Sequence, residues 1–336
     1  MTVKDSVLEA LQASRDDFLS GESLSATLDV SRAAVWKAIK KLREEGYPIE
    51  AVTNKGYMLM SESWLITEES LRLSLPARYR NNEIHLYDTT DSTNLRAKQF
   101  ALENAPHGTI VMARQQTAGR GRLGRSFFSP LEGIYLSLII RKPLDISHAL
   151  LITSAAAVSV ADSLDRICGV DAGIKWVNDI YVDGKKVCGI GTEAISNFET
   201  GQIESLVIGI GINTNLRDFP RELLDVAGAV EGNYSKSALA GEIIAETLDL
   251  IDEVTETALS ETSEEPAFME RYREKSIVIG RNIKVYKGGY RKDILDESGG
   301  IPARVLGISG SGGLEVMYPD GSRETLSTGE ISIRFE

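Results

Sequence analysis

Two stretches of this sequence gather residue types that hold anions. In TAGRGRLGRSFFSP, residues 117–130, Arg120, Arg122 and Arg125 are interleaved with Gly119, Gly121 and Gly124. Guanidinium forks close bidentately on carboxylates and phosphates, and glycine lets the backbone approach the same anion. A solvated basic loop is the plainer reading of those residues. In IKWVNDIYVDGKKVCGI, residues 174–190, Lys175, Asn178 and Asp179 interrupt an apolar strand pattern, and Lys186 opens the returning strand. Each alone reads as a surface ion-pair residue. Together, in one hairpin beside a glycine–arginine loop, they suit an anion held with a hard cation, for which carboxylate oxygen is an apt ligand.

The whole chain has the opposite charge. Its 336 residues carry a formal net charge of -12, which argues against wholesale nucleic-acid coating and leaves room for a local basic patch. Only Cys168 and Cys188 and three histidines are present, without metal-ligand spacing, so a zinc site or disulfide framework is not expected. Neither a Walker loop nor a dinucleotide fingerprint occurs. The first residues hold no long apolar run, so no signal peptide, membrane span or membrane partner is expected, and the reading is a cytoplasmic protein. With 42% apolar residues the chain can bury sizeable cores, and its length suggests two or three domains.

The elements that must position these groups fall into three parts. Residues 1–62 read as two short helices, a basic third helix and a strand pair, the pattern of a winged helix-turn-helix. In SRAAVWKAIKKLREEG, Ser31 is an N-cap, and Val35, Ile39 and Leu42 form the buried stripe. Arg32, Lys37, Lys40, Lys41 and Arg43 occur with no acid among them, which points to DNA binding through Ser31, Arg32, Lys37, Lys40 and Lys41. A three-helix domain with a solvated basic face, or a protein-interaction domain, is the alternative, and Trp36 reads as either a packing residue or a groove contact, with packing preferred. Residues 63–275 alternate strands and helices, as in an α+β domain with a mixed, mostly antiparallel sheet. Residues 276–336 read as short strands between glycine turns, a small β-barrel-like module. The chain is thus expected to be multidomain α+β.

DSTN at 91–94, QTAGRGRLGRSFFSP at 116–130, KWVNDIYVDGKKVCGI at 175–190 and GIGINTN at 209–215, in this order, resemble the biotin–protein ligases. With the winged helix in front, the resemblance is to the bifunctional ligase–repressor type and covers nearly the whole chain. It implies an SH3-like C-terminal barrel, formation of biotinyl-5'-adenylate from biotin and ATP, and transfer of biotin to a lysine of a biotin carrier protein. It also implies repression at a biotin operator as a homodimer favoured by adenylate. By motif, Ser92, Thr93, Asn94 and Gln116 would meet the biotin head group, and Arg120, Gly121 and Arg122 would wrap carboxylate and phosphate. Lys186 would bridge the two anions, with Arg122 and Asp179 completing the catalytic set. Lys175, Asn178, Asp179 and Asn213 would meet ATP, with Asp179 as the Mg²⁺ ligand.

This assignment meets a physical demand. Carboxylate and α-phosphate about 4 Å apart repel by roughly 4 kcal/mol at an effective dielectric of 20, which cations must offset. The 117–126 loop, rich in glycine and like charge, is expected to be mobile without ligand, because ordering costs about 1–2 kcal/mol per residue. Val177, Phe127 and Gly191 depart from the family pattern of proline, tryptophan and a larger aliphatic residue. Residues 219–230 read equally as an adenosine-side loop or a surface loop. A lipoate or octanoyl ligase, or a ligand-sensing transcription factor without catalysis, are the competing readings.

Overall fold

A computed structural model gives the architecture of the chain. It describes all residues except 1, 15–17, 45–46, 48, 53–54, 60–65, 122–125, 132, 197–202, 217, 261–263, 287–299, 328–331 and 336. Contacts divide the chain into two compact units, Met1–Thr67 with Asn233–Ser237, and Glu68–Gly232 with Ala238–Glu336. The expected boundary at 62/63 lies outside the described residues.

In the first unit, α1 (Val3–Ala13) starts from a capping box between Thr2 and Asp5, and α2 (Gly21–Leu28) from Ser20. Ser31 caps α3 (Arg32–Glu44), its hydroxyl accepting from the Ala34 amide at 3.2 Å. These caps satisfy amides that the first helical turn leaves without partners. Val7, Leu11, Leu24, Val35, Ile39 and Leu42 bury a common core with Ile49 and Leu59 of the antiparallel pair β1 (Ile49–Val52) and β2 (Gly56–Leu59). Gly56, at φ +113°, admits the close pass of this wing over Leu19, whose carbonyl oxygen would lie 2.2 Å from any Cβ there. Trp36 departs from the sequence expectation: it is 55% exposed. Being one residue past Val35, it falls off the buried stripe, which the 3.6-residue period gives to Val35, Ala38, Ile39 and Leu42.

The second unit begins with α4 (Glu68–Ser74) and is built on a seven-stranded sheet. Its strands are β3 (Ile84–Thr90), β4 (Ile110–Gln116), β5 (Ile134–Ile140), β6 (Gly173–Lys175), β7 (Asp179–Val182), β8 (Lys185–Ser196) and β9 (Ile203–Ile212), in the order β3-β4-β5-β9-β8-β7-β6. β3 and β4 run parallel and the other neighbours antiparallel. β7 and β8 are joined at Asp183 and Gly184, both at positive φ, in the VDGK segment that turns the expected hairpin. α5 (Thr93–Leu102) covers part of one face through Ala97 and Ala101 against Val111, Ile139 and Val207. α6 (Ala149–Cys168) is buried continuously from Ile152 to Leu164 and packs on β6, β7 and β8. Its Ser159 hydroxyl donates to the Ile243 carbonyl of α7 (Lys236–Leu259), so α6 is a core helix rather than a surface one. α8 (Phe268–Glu274) buries Phe268, Met269 and Tyr272. The Trp176–Val177 peptide, at the family's usual proline position, is cis.

The C-terminal strands are β10 (Asn282–Tyr286), β11 (Ile301–Ile308), β12 (Leu314–Met317), β13 (Arg323–Leu326) and β14 (Ser332–Phe335). They form one antiparallel five-stranded sheet in the order β13-β12-β11-β10-β14. Among the described residues its two edges do not pair, so the expected small β module is an open sheet rather than a closed barrel. It is tied to the rest of the unit where Trp176 Nε1, between β6 and β7, donates to the Gly312 carbonyl at 2.9 Å and Arg273 Nε of α8 to the Ile308 carbonyl at 2.9 Å.

Candidate functional site

The site grows from four glycines. Gly189 pairs with Gly211, and Gly191 with Gly209, across β8 and β9. Because strand side chains alternate, all four face the side of the sheet that carries α5. A Cβ at Gly209 would lie 2.1 Å from Asn94 Oδ1, and one at Gly211 would lie 2.5 Å from the Phe127 ring. A Cβ at Gly191 would meet nothing within 4 Å. The sheet thus has a floor without side chains, closed over at two glycines and open at a third.

At one end stands the N-terminus of α5. Ser92, Thr93 and Asn94 are all buried there. Gln116 Oε1 accepts from the Thr93 amide at 2.8 Å, and Gln116 Nε2 donates to Ser129 Oγ at 2.9 Å. The Ser137 hydroxyl, one strand away, lies 2.8 Å from Thr93 Oγ1 and 2.6 Å from Asn94 Oδ1. Asn94 Nδ2 donates to Glu193 Oε1 at 2.9 Å, and Glu193 also pairs with Lys98. Burial would raise the Glu193 carboxyl, but the hydrogen bonds from Lys98 and Asn94 and the nearby Lys98 and Arg120 charges hold it below the usual carboxylate range. Ser92 occupies the N-cap position without capping a backbone amide. This end therefore offers amide and hydroxyl groups in fixed orientations, the chemistry suited to a ligand with both donors and acceptors.

At the other end, Lys186 Nζ donates to Asp179 Oδ1 at 2.5 Å. Both side chains are partly exposed. The Lys186 Nζ and Cε atoms lie 3.3 Å from where a Gly189 Cβ would stand, so glycine gives the lysine room beside the floor. Lys175 pairs with Asp179 in register across β6 and β7, and its ammonium lies 5.6 Å from the Tyr181 ring centroid. Asn178 is stitched to the neighbouring strand, its amide donating to the Ile190 carbonyl. Phe127 stands between the two ends, its ring over Gly211 and edge-on to Tyr135 at 6.4 Å.

The basic loop is an arm with its own pairing. Gln116 bridges Ser129, Arg120 bridges Ser126, and the Phe127 amide donates to the Gly119 carbonyl at 2.8 Å. Gly119 is required, since a Cβ there would lie 2.4 Å from the Phe127 carbonyl oxygen. Arg120 and Gly121 are exposed on this arm. Arg122, and the residues 122–125 on which the expectation of mobility falls, lie outside the described residues.

Residues 226–230 form a strap. The Lys186 amide donates to the Val226 carbonyl at 3.2 Å, and the Gly228 amide to the Lys186 carbonyl at 2.8 Å. Asn213 Nδ2 donates to the Gly228 carbonyl at 3.0 Å, while its buried Oδ1 has no partner. The strap therefore fixes the backbone of Lys186 and presents an unmatched acceptor beside it. Ser137 and Glu193 escape the sequence reading, and the strap falls within residues 219–230, whose two readings the motif leaves open. The glycine floor was legible in principle, because CGIG and GIGIN alternate with the strand period.

On α3 the side chains of Arg32, Lys37, Lys40, Lys41 and Arg43 are exposed together, and Ser31 is the cap. Arg32 is engaged by Glu22 at 2.5 Å.

No group of three or more His, Cys, Asp or Glu side chains among the described residues could cage a metal. Asp179 is the carboxylate that pairs with Lys186, and a single carboxylate suits a cation held chiefly by a phosphorylated ligand. Burial pushes both thiols up, that of Cys168 to about 12, and disfavours their thiolate forms. No helix among the described residues is long and apolar enough to cross a membrane.

A bare sheet floor thus lies between a polar recognition end and a lysine–aspartate end, in a chain that also holds a helix-turn-helix unit. A profile of the biotin/lipoate A/B protein ligase family matches residues 86–213, and an HTH-domain profile matches residues 4–58. The bifunctional ligase/repressor BirA of Bacillus subtilis is 39% identical over 246 residues, spanning 72% of this chain and 73% of that protein. The bifunctional ligase/repressor BirA of Escherichia coli is 29% identical over 95% of this chain and 94% of its own. Biotin protein ligase of Aquifex aeolicus, solved with biotin and ATP, superposes with a TM-score of 0.60 at 27% identity, covering 76% of this chain and 99% of that one. The chain belongs to the biotin/lipoate protein ligase family, in its bifunctional ligase–repressor branch.

Proposed function

We propose that the chain activates biotin with ATP and passes it to a lysine of a biotin carrier protein domain, and that it represses biotin genes through its winged helix. The observation that carries the reading is the Lys186–Asp179 pair at one end of a glycine floor whose other end is the Ser92–Asn94 turn. Ser92, Thr93, Asn94 and Gln116 take the ureido head, whose two N–H groups and one carbonyl need both acceptors and a donor. The aliphatic tail lies along the floor, and the open space at Gly191 receives it.

In the first step a biotin carboxylate oxygen attacks the α-phosphorus of ATP, and the bond from that phosphorus to pyrophosphate breaks. Lys186 leaves Asp179 for the two anions, where its charge offsets their repulsion and follows the charge built on the leaving group. Arg120 and Arg122 close over carboxylate and phosphate, with Gly121 leaving room for them. Lys175, Asn178 and Asn213 face the nucleotide, and the unmatched Asn213 Oδ1 suits an exocyclic amine. Asp179, once released by Lys186, would hold Mg²⁺, which neutralises phosphate charge when bound. In the second step the neutral carrier amine attacks the acyl carbon, AMP departs, and the amine loses its proton.

The division 1–62, 63–275 and 276–336, with the C-terminal sheet as an SH3-like module, belongs to the same proposal, as do a homodimer on operator DNA and a cytoplasmic location. Biotin is preferred over lipoate because the relatives are named biotin ligases, and a sensor without catalysis has no use for Lys186 beside Asp179. The test is pyrophosphate release from purified chain with ATP and biotin, with lipoate as control. Release with lipoate alone would transfer the assignment to the other branch.

A further inference from the structure

Trp36 lies on the outward face of α3, 55% exposed, in the helix whose other large apolar side chains, Val35, Ile39 and Leu42, are buried. Lys40 places its ammonium 5.7 Å from the Trp36 ring centroid. Trp36, Ile39, Lys40 and Arg43 of α3 and Ala51 and Tyr57 of the wing line one groove of about 500 Å³. Its floor is apolar and its rim cationic, on a face where Arg32, Lys37 and Lys41 are also exposed. Such a charge pattern fits a polyanion rather than an ordinary protein surface. On base edges in the major groove the apolar group is the thymine 5-methyl, and the surrounding negative charge is phosphate. Trp36 sits in the second turn of α3, and it is the N-terminal residues of a recognition helix that reach base edges.

We propose that Trp36 determines specificity: its indole packs on a thymine methyl in the major groove, while Lys40 and Arg43 pair with flanking phosphates. This rests on the DNA-binding reading of the winged helix and adds to it the base that is read. The indole supplies discrimination and the cations supply affinity, so the two contributions separate by their response to salt.

The experiment selects duplexes from a random library with the full chain in the presence of biotin and ATP, then titrates the selected duplex at fixed salt. The wild-type chain is expected to select a motif with a required thymine in each half-site. Uracil at that position should weaken it about fourfold, the value of one lost methyl contact. Trp36→Ala should lose about tenfold in affinity for the selected duplex, become indifferent to the uracil change, and keep its salt slope and its affinity for random duplex. Lys40→Ala should reduce the salt slope by about one and still respond to uracil. Trp36→Phe should recover part of the discrimination, and melting curves of all variants should match the wild type. If Trp36→Ala selects the same motif with unchanged affinity, or no uracil position affects the wild type, the proposal is wrong and the groove serves a protein. If the wild-type chain selects no motif, the DNA reading falls and takes this inference with it.

Discussion

Lys186 can be tested without disturbing the fold, because its side chain is partly exposed and its ammonium pairs with the partly exposed Asp179. Lys186→Met removes the charge and keeps most of the stem. Pyrophosphate release is expected to fall about 100-fold or more, the usual cost of one preorganised donor. Near-normal turnover would mean that the lysine has been given the wrong role. The paired glycines give a sharper contrast. Gly191→Ala places a methyl in open space and should stabilise the chain by about 0.4–1 kcal/mol through lost chain entropy. Gly209→Ala, one strand over in the same pair, drives a Cβ into Asn94 and should cost about 1–3 kcal/mol while raising KM for biotin more than for ATP. Thermal melts and steady-state kinetics of the two variants check this; equal melting shifts would contradict the packing. Glu193 adds a pH signature. Its folded pKa is lowered, so its contribution is full above the ordinary carboxylate value and is lost as pH falls through the folded value. Glu193→Gln should flatten the acid limb of a melting-temperature profile below about pH 4.5 and leave the neutral region with a constant offset.

At the scale of elements, the winged helix buries its own core of Val7, Leu11, Leu24, Val35, Ile39 and Leu42, and the ligase sheet is sandwiched between its own helices. A chain starting near residue 63 should therefore still biotinylate a carrier domain and fail to shift operator DNA. Gel-shift and streptavidin-blot assays on the same preparation would decide, and a shift by the truncated chain would remove the winged helix from the account. The strap at 226–230 is the element whose importance shows only in three dimensions. It holds the Lys186 backbone from both sides, through Val226 and Gly228, and also holds Asn213. Its loss would displace both groups at once.

For the molecule as a whole, two functions on one chain raise the matter of coupling. A winged helix reading a two-fold operator needs two copies at fixed spacing. If biotinyl-adenylate binds the dimer more tightly than the monomer, it strengthens DNA binding to that extent and no further. Biotin with ATP, or a non-hydrolysable adenylate mimic, is expected to raise dimer population and operator affinity together. Sedimentation and operator titration at matched salt measure both. A mimic that binds and moves neither would leave the two activities uncoupled.

Much of the architecture was already written in local patterns. Caps at Thr2, Ser20 and Ser31, the stripe in α3, and the VDGK turn are decided within a few residues, where backbone sterics and short-range hydrogen bonds act alone. The motifs likewise mark Ser92–Asn94, Gln116, Asp179 and Lys186 by residue type and spacing alone. What the sequence left undecided depends on register and on side chains far apart in the chain. Asn94 meets Glu193 across 99 positions because α5 lies over β4, β5 and β9, and β8 runs beside β9; no local pattern encodes that meeting. The period of α3 already puts Trp36 beside the Val35, Ile39 and Leu42 stripe, and only the folded unit shows the groove it shares with Ala51 and Tyr57 of the wing. The C-terminal strands were evident from their glycine turns, but whether edges close depends on how β13 and β14 lie in space. Alternation could mark Gly189, Gly191, Gly209 and Gly211 as special. Only strand pairing could set them side by side as one floor, because a strand fixes the face of its residues and its partner fixes their neighbours.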